Sequence, residues 1–192
     1  EQQEIRDTGA REEEIELEMP PLAPLAAIDT NVPVEVVKSI DAQLHHWPDD
    51  FSVNPKLQRQ LERRAKVVPE DGNLDWAHGE ALAFGSLLRD GVPIRLTGQD
   101  VERGTFSQRH LVLHDAESNR LYVPLANLEE ARASFEVYNS PLSELATMGF
   151  EYGFSVVAPR ALVLWEAQFG DFVNGAQVII DQFITAGREK WG

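Results

Sequence analysis

Apolar residues recur at Val34, Val37, Ile40 and Leu44, the spacing of one helical face. Pro33 suits the first turn of that helix and Pro48 stops it, so the narrow stripe predicts a helix that packs on something. Asn54 and Pro55 repeat the start signal for a second helix carrying Leu57, Leu61 and Ala65, with Arg59, Arg63, Arg64 and Lys66 leaving its other side basic. Asp75 caps a third through Trp76, Ala77, Glu80, Ala81, Phe84, Leu87 and Leu88, closed by Gly91 and Pro93.

Beyond residue 90 the pattern alternates. Val92, Ile94 and Leu96 predict a strand ending at Gly98, and Leu111 to Leu113, Leu121 to Val123 and Phe135 to Tyr138 predict short extended pieces between polar loops. Ser143 can cap a helix through Leu145, Met148 and Tyr152. Ala161 to Trp165 is an apolar run of the kind buried on both faces of a parallel sheet, and a last helix takes Ala176, Ile179, Ile180 and Phe183 to Gly187. Helix and strand in alternation indicate a doubly wound α/β layer.

Composition narrows the partners. The 192 residues carry a net charge of −15, which repels phosphate backbones and anionic lipid, so nucleic acid and membrane are disfavoured. The absence of cysteine excludes a disulfide scaffold, a zinc ribbon and thiol catalysis, and fits a reducing compartment. No apolar run approaches the ~20 residues that span a bilayer. Residues 1–27 differ from the rest: an acidic run to Glu18, then Pro20, Pro21 and Pro24, which break any helix. This segment reads as a solvated tail. The chain opens on Glu1 without a signal-peptide pattern and is expected to be a processed or excised piece.

General motifs are missing: there is no GxxxxGK[ST] phosphate loop, GxGxxG turn, HExxH or EF-hand loop. The histidines suggest no metal set, because His45 and His46 are adjacent and diverge on a helix, while His110 and His114 flank a strand edge. The aromatic and carboxylate cluster from Trp165 to Phe172 stands out, since ligands bind at the carboxyl ends of strands in open α/β sheets.

Three segments, RLTGQDVERGTFSQRH (95–110), NSPLSELATMGFEYGF (139–154) and LVLWEAQFGDFVNGAQVIIDQFITAGREKWG (162–192), together resemble the thiamine-diphosphate-dependent first component of 2-oxoglutarate dehydrogenase. A weaker match upstream, NPKLQRQLERRAK (54–66) and LDWAHGEALAFGSLL (74–88), extends the resemblance to about residues 28–192. The resemblance implies a transketolase-like α/β fold, with 28–72 as a helical linker and 73–192 as the N-terminal part of the pyrimidine-binding domain. It further implies oxidative decarboxylation of 2-oxoglutarate, with transfer of the succinyl group to a lipoyl-bearing succinyltransferase in a complex that includes dihydrolipoamide dehydrogenase. The neighbouring readings are a non-oxidative 2-oxoglutarate decarboxylase or carboligase, and a 2-oxoadipate dehydrogenase. A reading of another class is a non-catalytic interaction or assembly module. The family works as a homodimer in bacterial cytoplasm or the mitochondrial matrix.

Its cofactors are thiamine diphosphate and Mg²⁺. The Gly-Asp-Gly segment that supplies the metal site in the family has no match here, so Mg²⁺ ligands are expected outside this chain, which on its own is expected to be inactive. By the same resemblance, Glu144 corresponds to the glutamate that activates the aminopyrimidine, Phe172 to the ring that packs on it, and Phe169 lies one step along the same loop. Gln99 and His110 are candidates to meet the substrate, with Glu166, Gln168 and Asp171 nearby. Each has a plainer explanation. Glu144 follows a Ser cap, where an acid complements the helix dipole; Phe172 could be core; Arg103, Arg109 and His110 could be structural partners of Asp100 or Glu102.

Overall fold

The computed structural model describes residues 29–68 and 73–187, so the segment expected as an acidic tail, 1–27, lies outside them. Within Glu1–Asn31, the Asp29 carboxylate accepts from the Asn31 backbone N–H at 3.0 Å. Val32–Gly192 is a separate compact unit.

Three capped helices open that unit. In α1 (Val34–Leu44) the turn begins on the Pro33 carbonyl, which accepts from the Val36 N–H at 2.9 Å, placing Pro33 just outside the helix. Its buried stripe is Ile40, Asp41 and Leu44, with Val34 exposed, so a carboxylate sits where the periodicity suggests only apolar groups. The Asn54 side chain accepts from Lys56 N–H at 3.0 Å to start α2 (Pro55–Arg64), and Asp75 accepts from His78 N–H at 2.8 Å to start α3 (Trp76–Arg89). Gly91, at φ +84°, ends α3 by letting Gly91 and Val92 N–H groups reach back to Leu88 and Leu87 carbonyls. Two side chains depart from their expected places. Trp76 is 96% exposed, whereas Arg64 leaves the basic side of α2 and is buried against Asp75, at 2.9 and 3.1 Å, and the Gln108 carbonyl.

Three parallel strands form the sheet, in the order β4 (Phe135–Asn139), β1 (Ile94–Gly98), β5 (Leu162–Glu166). β1 is central, and its alternation divides the unit. Ile94 and Leu96 join Ile40, Leu44, Leu82, Phe84 and Leu88 in the apolar core beneath α1 and α3. Arg95 and Thr97 point the other way, toward α4 (Glu144–Val157). Helices thus cover both faces, the two-sided layering expected, and the segment read as a helical linker, 28–72, contributes α1 to the same core as 73–192. α1 and α3 meet closely at Gly85, where a Cβ would stand 2.5 Å from Ile40 Cγ2.

Elsewhere the structure departs from the periodicity. The pieces near 111–113 and 121–123 do not join the main sheet. They become β2 (Leu113–His114) and β3 (Leu121–Tyr122), an antiparallel pair over a satellite core of Phe51, Val53, Leu61 and Leu113, turned by Asp115 accepting from Glu117 and Ser118 N–H groups. β5 was expected to be buried on both faces but is half-buried throughout, because it pairs only with β1 among the described residues. The last helix begins early, as a 3₁₀ segment from Gly170 to Ala176, then one short α turn, α5 (Gln177–Ile179), and a π segment from Ile180 to Ile184. Among the described residues no helix is long and apolar enough to cross a membrane.

The contact between β1 and α4 is ionic and buried. Arg95 donates to Glu151 at 2.7 and 3.1 Å and to Glu136 at 2.9 Å, and Thr97 donates to Glu151 at 2.9 Å. The Glu151 side chain is 3% exposed and that of Arg95 15%. The hydrogen bonds that Arg95 donates to Glu151 raise its pKa above the ordinary value and keep it charged. Its guanidinium also lies 4.7 Å from the Tyr138 ring centroid and 4.8 Å from that of Phe154. Replacing one partner strands the other charge, so Arg95→Met should cost about 3–5 kcal/mol, and Arg95→Met with Glu151→Met much less than the two single losses added. Urea denaturation of the four proteins measures both.

Candidate functional site

The carboxyl ends of all three parallel strands converge on one edge, and the side chains there are set by their neighbours. β1 ends at Gly98 because its backbone passes under the Glu166 carbonyl, where a Cβ would lie 2.2 Å from that oxygen. Gln99 follows, then Asp100 at φ +56°, a conformation that Asp tolerates better than most residues. The Asp100 carboxylate accepts from Gln168 Nε2 at 2.8 Å and pairs with Arg103 at 3.1 Å, and Thr105 donates to the Gln168 carbonyl at 3.2 Å. The turn after β1 is therefore laced to the segment after β5.

α4 delivers Glu144 to this edge. Ser143 Oγ accepts from Ala146 N–H at 3.4 Å, so Glu144 occupies the first turn. Its carboxylate accepts from Gln99 Nε2 at 3.4 Å, a long hydrogen bond. A Cβ on Gly175 would stand 3.7 Å from Glu144 Oε2, so the 3₁₀ segment passes near the carboxylate. Gly98, Gln99, Glu144, Thr147, Trp165 and Glu166 border a notch of about 10 Å³, room for a water at most.

Phe169 and Phe172 lie at the start of that 3₁₀ segment, edge to face with centroids 5.5 Å apart, and are 45% and 42% exposed. Within this chain neither ring belongs to the apolar core. Phe106, from the turn after β1, extends the group by meeting Phe169 at 6.1 Å.

Arg109 is the anchor beneath. It donates to Glu80 of α3 at 2.7 and 3.1 Å, to Glu166 of β5 at 3.0 Å and to the Val101 carbonyl at 3.2 Å. Burial alone would lower its pKa, but the Glu166 and Glu80 carboxylates outweigh that and raise it. Its ion-pair partners are Glu80 and Glu166, where Asp100 or Glu102 was the expected one. His110 does not join Gln99 and Glu144. Its Nε2 lies 2.9 Å from the Ser107 carbonyl, and its ring lines a different cavity, with His45 and His78. Burial pushes its pKa below the ordinary histidine value, with the Arg64 and Arg103 charges adding to the effect.

Arg95 with Glu151 and Asn139, whose Oδ1 accepts from Glu102 N–H at 3.1 Å, were missed as determinants of this edge. The available signal was a charged residue at an inward position of an apolar strand, facing another on an apolar helix.

Residues 72–192 match the family model described as the transketolase pyrimidine-binding domain. The chain is 56% identical over 180 residues to the 2-oxoglutarate dehydrogenase E1 component of Bacillus pumilus (strain SAFR-032), covering 94% of this chain and 19% of that protein. It is 55% identical over 185 residues to the protein of the same name from Geobacillus kaustophilus (strain HTA426), covering 94% and 20%, and 54% identical over 179 residues to that of Bacillus subtilis (strain 168), covering 93% and 19%. The chain thus spans about a fifth of the length of these curated relatives.

The close approach at Gly98 carries its own test. Gly98→Ala forces β1 away from β5 at the point where the site is built, and the overpacking should cost about 1–3 kcal/mol in chemical denaturation.

Proposed function

Since the chain belongs to the transketolase pyrimidine-binding domain family, we propose that it forms the aminopyrimidine-binding part of a thiamine-diphosphate-dependent enzyme that decarboxylates 2-oxoglutarate oxidatively. The observation that carries this reading is a glutamate hydrogen-bonded by Gln99 at the carboxyl edge of a parallel sheet, near a 3₁₀ segment that displays two uncovered phenyl rings. A carboxyl group beside exposed aromatic surface suits a flat, nitrogen-containing ring: the phenyl rings offer stacking area and the carboxyl a proton for a ring nitrogen.

When bound, thiamine diphosphate supplies an acidic thiazolium C–H and an electron sink for loss of CO₂ from a 2-oxoacid. The work of this chain is to set that chemistry up. Glu144 would share a proton with the pyrimidine ring nitrogen, Gln99 steadies the carboxyl by donating to Oε1, and Phe172, in edge contact with Phe169, would cover the ring and exclude water. Mg²⁺ would be held by residues outside this chain. The four-carbon fragment left after loss of CO₂ would be oxidised to the succinyl level by the lipoyl disulfide of a succinyltransferase, whose S–S bond opens to a succinyl thioester and a thiol. After the thioester hands its succinyl group to an acceptor thiol, dihydrolipoamide dehydrogenase would reoxidise the dihydrolipoyl group, and the enzyme would be a homodimer. The homodimer reading is supported by the apolar residues that α4 and the last helical segment leave uncovered: Leu145, Phe150, Val157, Phe183 and Ile184 are each 42–79% exposed.

The decisive variant is Glu144→Gln in the full-length protein that carries this chain. Glutamine keeps the shape and can still hydrogen-bond a ring, but it cannot exchange a proton with it. Turnover should fall by ~10²–10⁴, with melting temperature and cofactor affinity nearly unchanged. A purely helix-capping glutamate predicts the opposite, a loss of ~0.3–1 kcal/mol in stability at normal turnover. Hydrogen–deuterium exchange at the thiazolium carbon reads the proton step directly, and wild-type exchange in the variant would remove Glu144 from the mechanism.

A further inference from the structure

On the far side of the core from α4, three donor groups converge between α1 and α3. Asp41 stands on α1, His45 caps the end of that helix four residues on, and His78 meets them from α3. His78 Nε2 lies 2.6 Å and His45 Nδ1 3.3 Å from the same oxygen, Asp41 Oδ1. The three side chains are 3%, 7% and 2% exposed, and their donor atoms all fall within 4.8 Å of one another.

His45 Nδ1 also donates to the Asp41 backbone carbonyl at 2.8 Å, a proton that a bound ion has to displace. A buried carboxylate needs a compensating positive charge, and among the described residues Asp41 meets only the two imidazoles. The nearby arginines are committed elsewhere, Arg64 to Asp75 and Arg109 to Glu80 and Glu166. In addition, His78 Nδ1 is buried without a hydrogen-bond partner. Both histidines line a cavity of about 30 Å³, enough for one water.

We infer that Asp41, His45 and His78 form a binding site for a divalent transition-metal ion of the Zn²⁺ class, with a water from the adjoining cavity as fourth ligand. Two imidazole nitrogens and one carboxylate oxygen suit Zn²⁺, whereas Ca²⁺ and Mg²⁺ prefer all-oxygen shells. Tetrahedral Zn²⁺ with bonds near 2.0–2.1 Å sets neighbouring ligand atoms about 3.3 Å apart. The His45 to Asp41 distance already matches, and His78 has to withdraw from Asp41 by only about 0.7 Å. Coordination through Nε2 places the remaining proton of His78 on Nδ1, the buried atom without a protein partner. The ion would staple α1 to α3, and the site is independent of Glu144 and of the function proposed above.

The test is a titration of the full-length protein, first stripped of metal and then resupplied with Mg²⁺, using Zn²⁺ by calorimetry and Co²⁺ as a spectroscopic stand-in. One Zn²⁺ per chain and the intense visible bands of four-coordinate Co²⁺ with nitrogen and oxygen ligands are expected. Asp41→Asn and His78→Gln, which keep shape and hydrogen-bonding capacity, should each weaken Zn²⁺ binding at least ~100-fold, since losing a ligand costs no less than losing the group behind it, while far-ultraviolet circular dichroism stays unchanged. Absence of the Co²⁺ bands in the unmutated protein overturns the proposal without any variant. Zn²⁺ affinity that is the same in both variants as in the parent overturns it equally.

Discussion

The ion pair between Arg95 and Glu151 fixes the position of everything at the carboxyl edge of the sheet. A helix lying on a sheet through apolar contacts alone can slide by a residue or rotate at small cost, because such contacts are non-directional. A guanidinium and a carboxylate joined by two hydrogen bonds cannot, since any slip leaves both charges buried and unpaired. Glu151 lies seven residues from Glu144, two turns along the same face of α4, about 10 Å away. Locking Glu151 over Arg95 and Thr97 therefore sets the height and the rotation at which Glu144 meets Gln99, two residues beyond Thr97.

Arg109 plays the matching part for the strands and loops. Through Glu80 and Glu166 it ties α3 to the end of β5, and Gly98 lets β1 approach the Glu166 carbonyl more closely than any side chain would allow. Arg109 is buried and Arg95 half-buried, and both are neutralised by carboxylates, so a chain with a large excess of acid spends its scarce cations on internal positioning. Their worth lies less in net stability, which apolar replacements of both partners could match, than in directionality.

How much of this could be read from the sequence depends on the range of each interaction. Asn54, Asp75 and Ser143 are visible as caps because a cap acts on an N–H two or three residues away, and all three act as expected. The three parallel strands show for a similar reason, as runs of apolar residues. Asp41, Arg64, His78 and Glu151 are hidden, because each breaks an apolar pattern for a partner 11 to 56 residues distant. His110 illustrates the converse: it shares a motif with Gln99, yet the tight turn from Gly104 to His110, with Ser107 and His110 both at positive φ, sends its ring to another cavity. The last segment begins at Gly170 and not at Ala176 because Gly170 to Ala176 winds as 3₁₀, a choice for which apolar spacing gives no signal. Glu144 and Phe172 were legible only through resemblance, since a first-turn acid and a loop phenylalanine are each commonplace by themselves.

β1 separates two kinds of order. Beneath it, α1 and α3 close an apolar core that borders the Asp41 cluster; above it, α4 is held by charge, and the groups it presents at the sheet edge are only partly covered. That asymmetry has a physical logic. Residues that must meet a ligand cannot be buried by the protein's own side chains, so they cannot be fixed by their own packing. Glu144 makes one long hydrogen bond, and Phe169 and Phe172 hold each other by an edge. Their placement has to be borrowed from neighbours that are fully satisfied, which is why the densest hydrogen bonding lies one layer behind the site, at Arg95, Arg109 and Asp100, while the site itself is sparsely bonded.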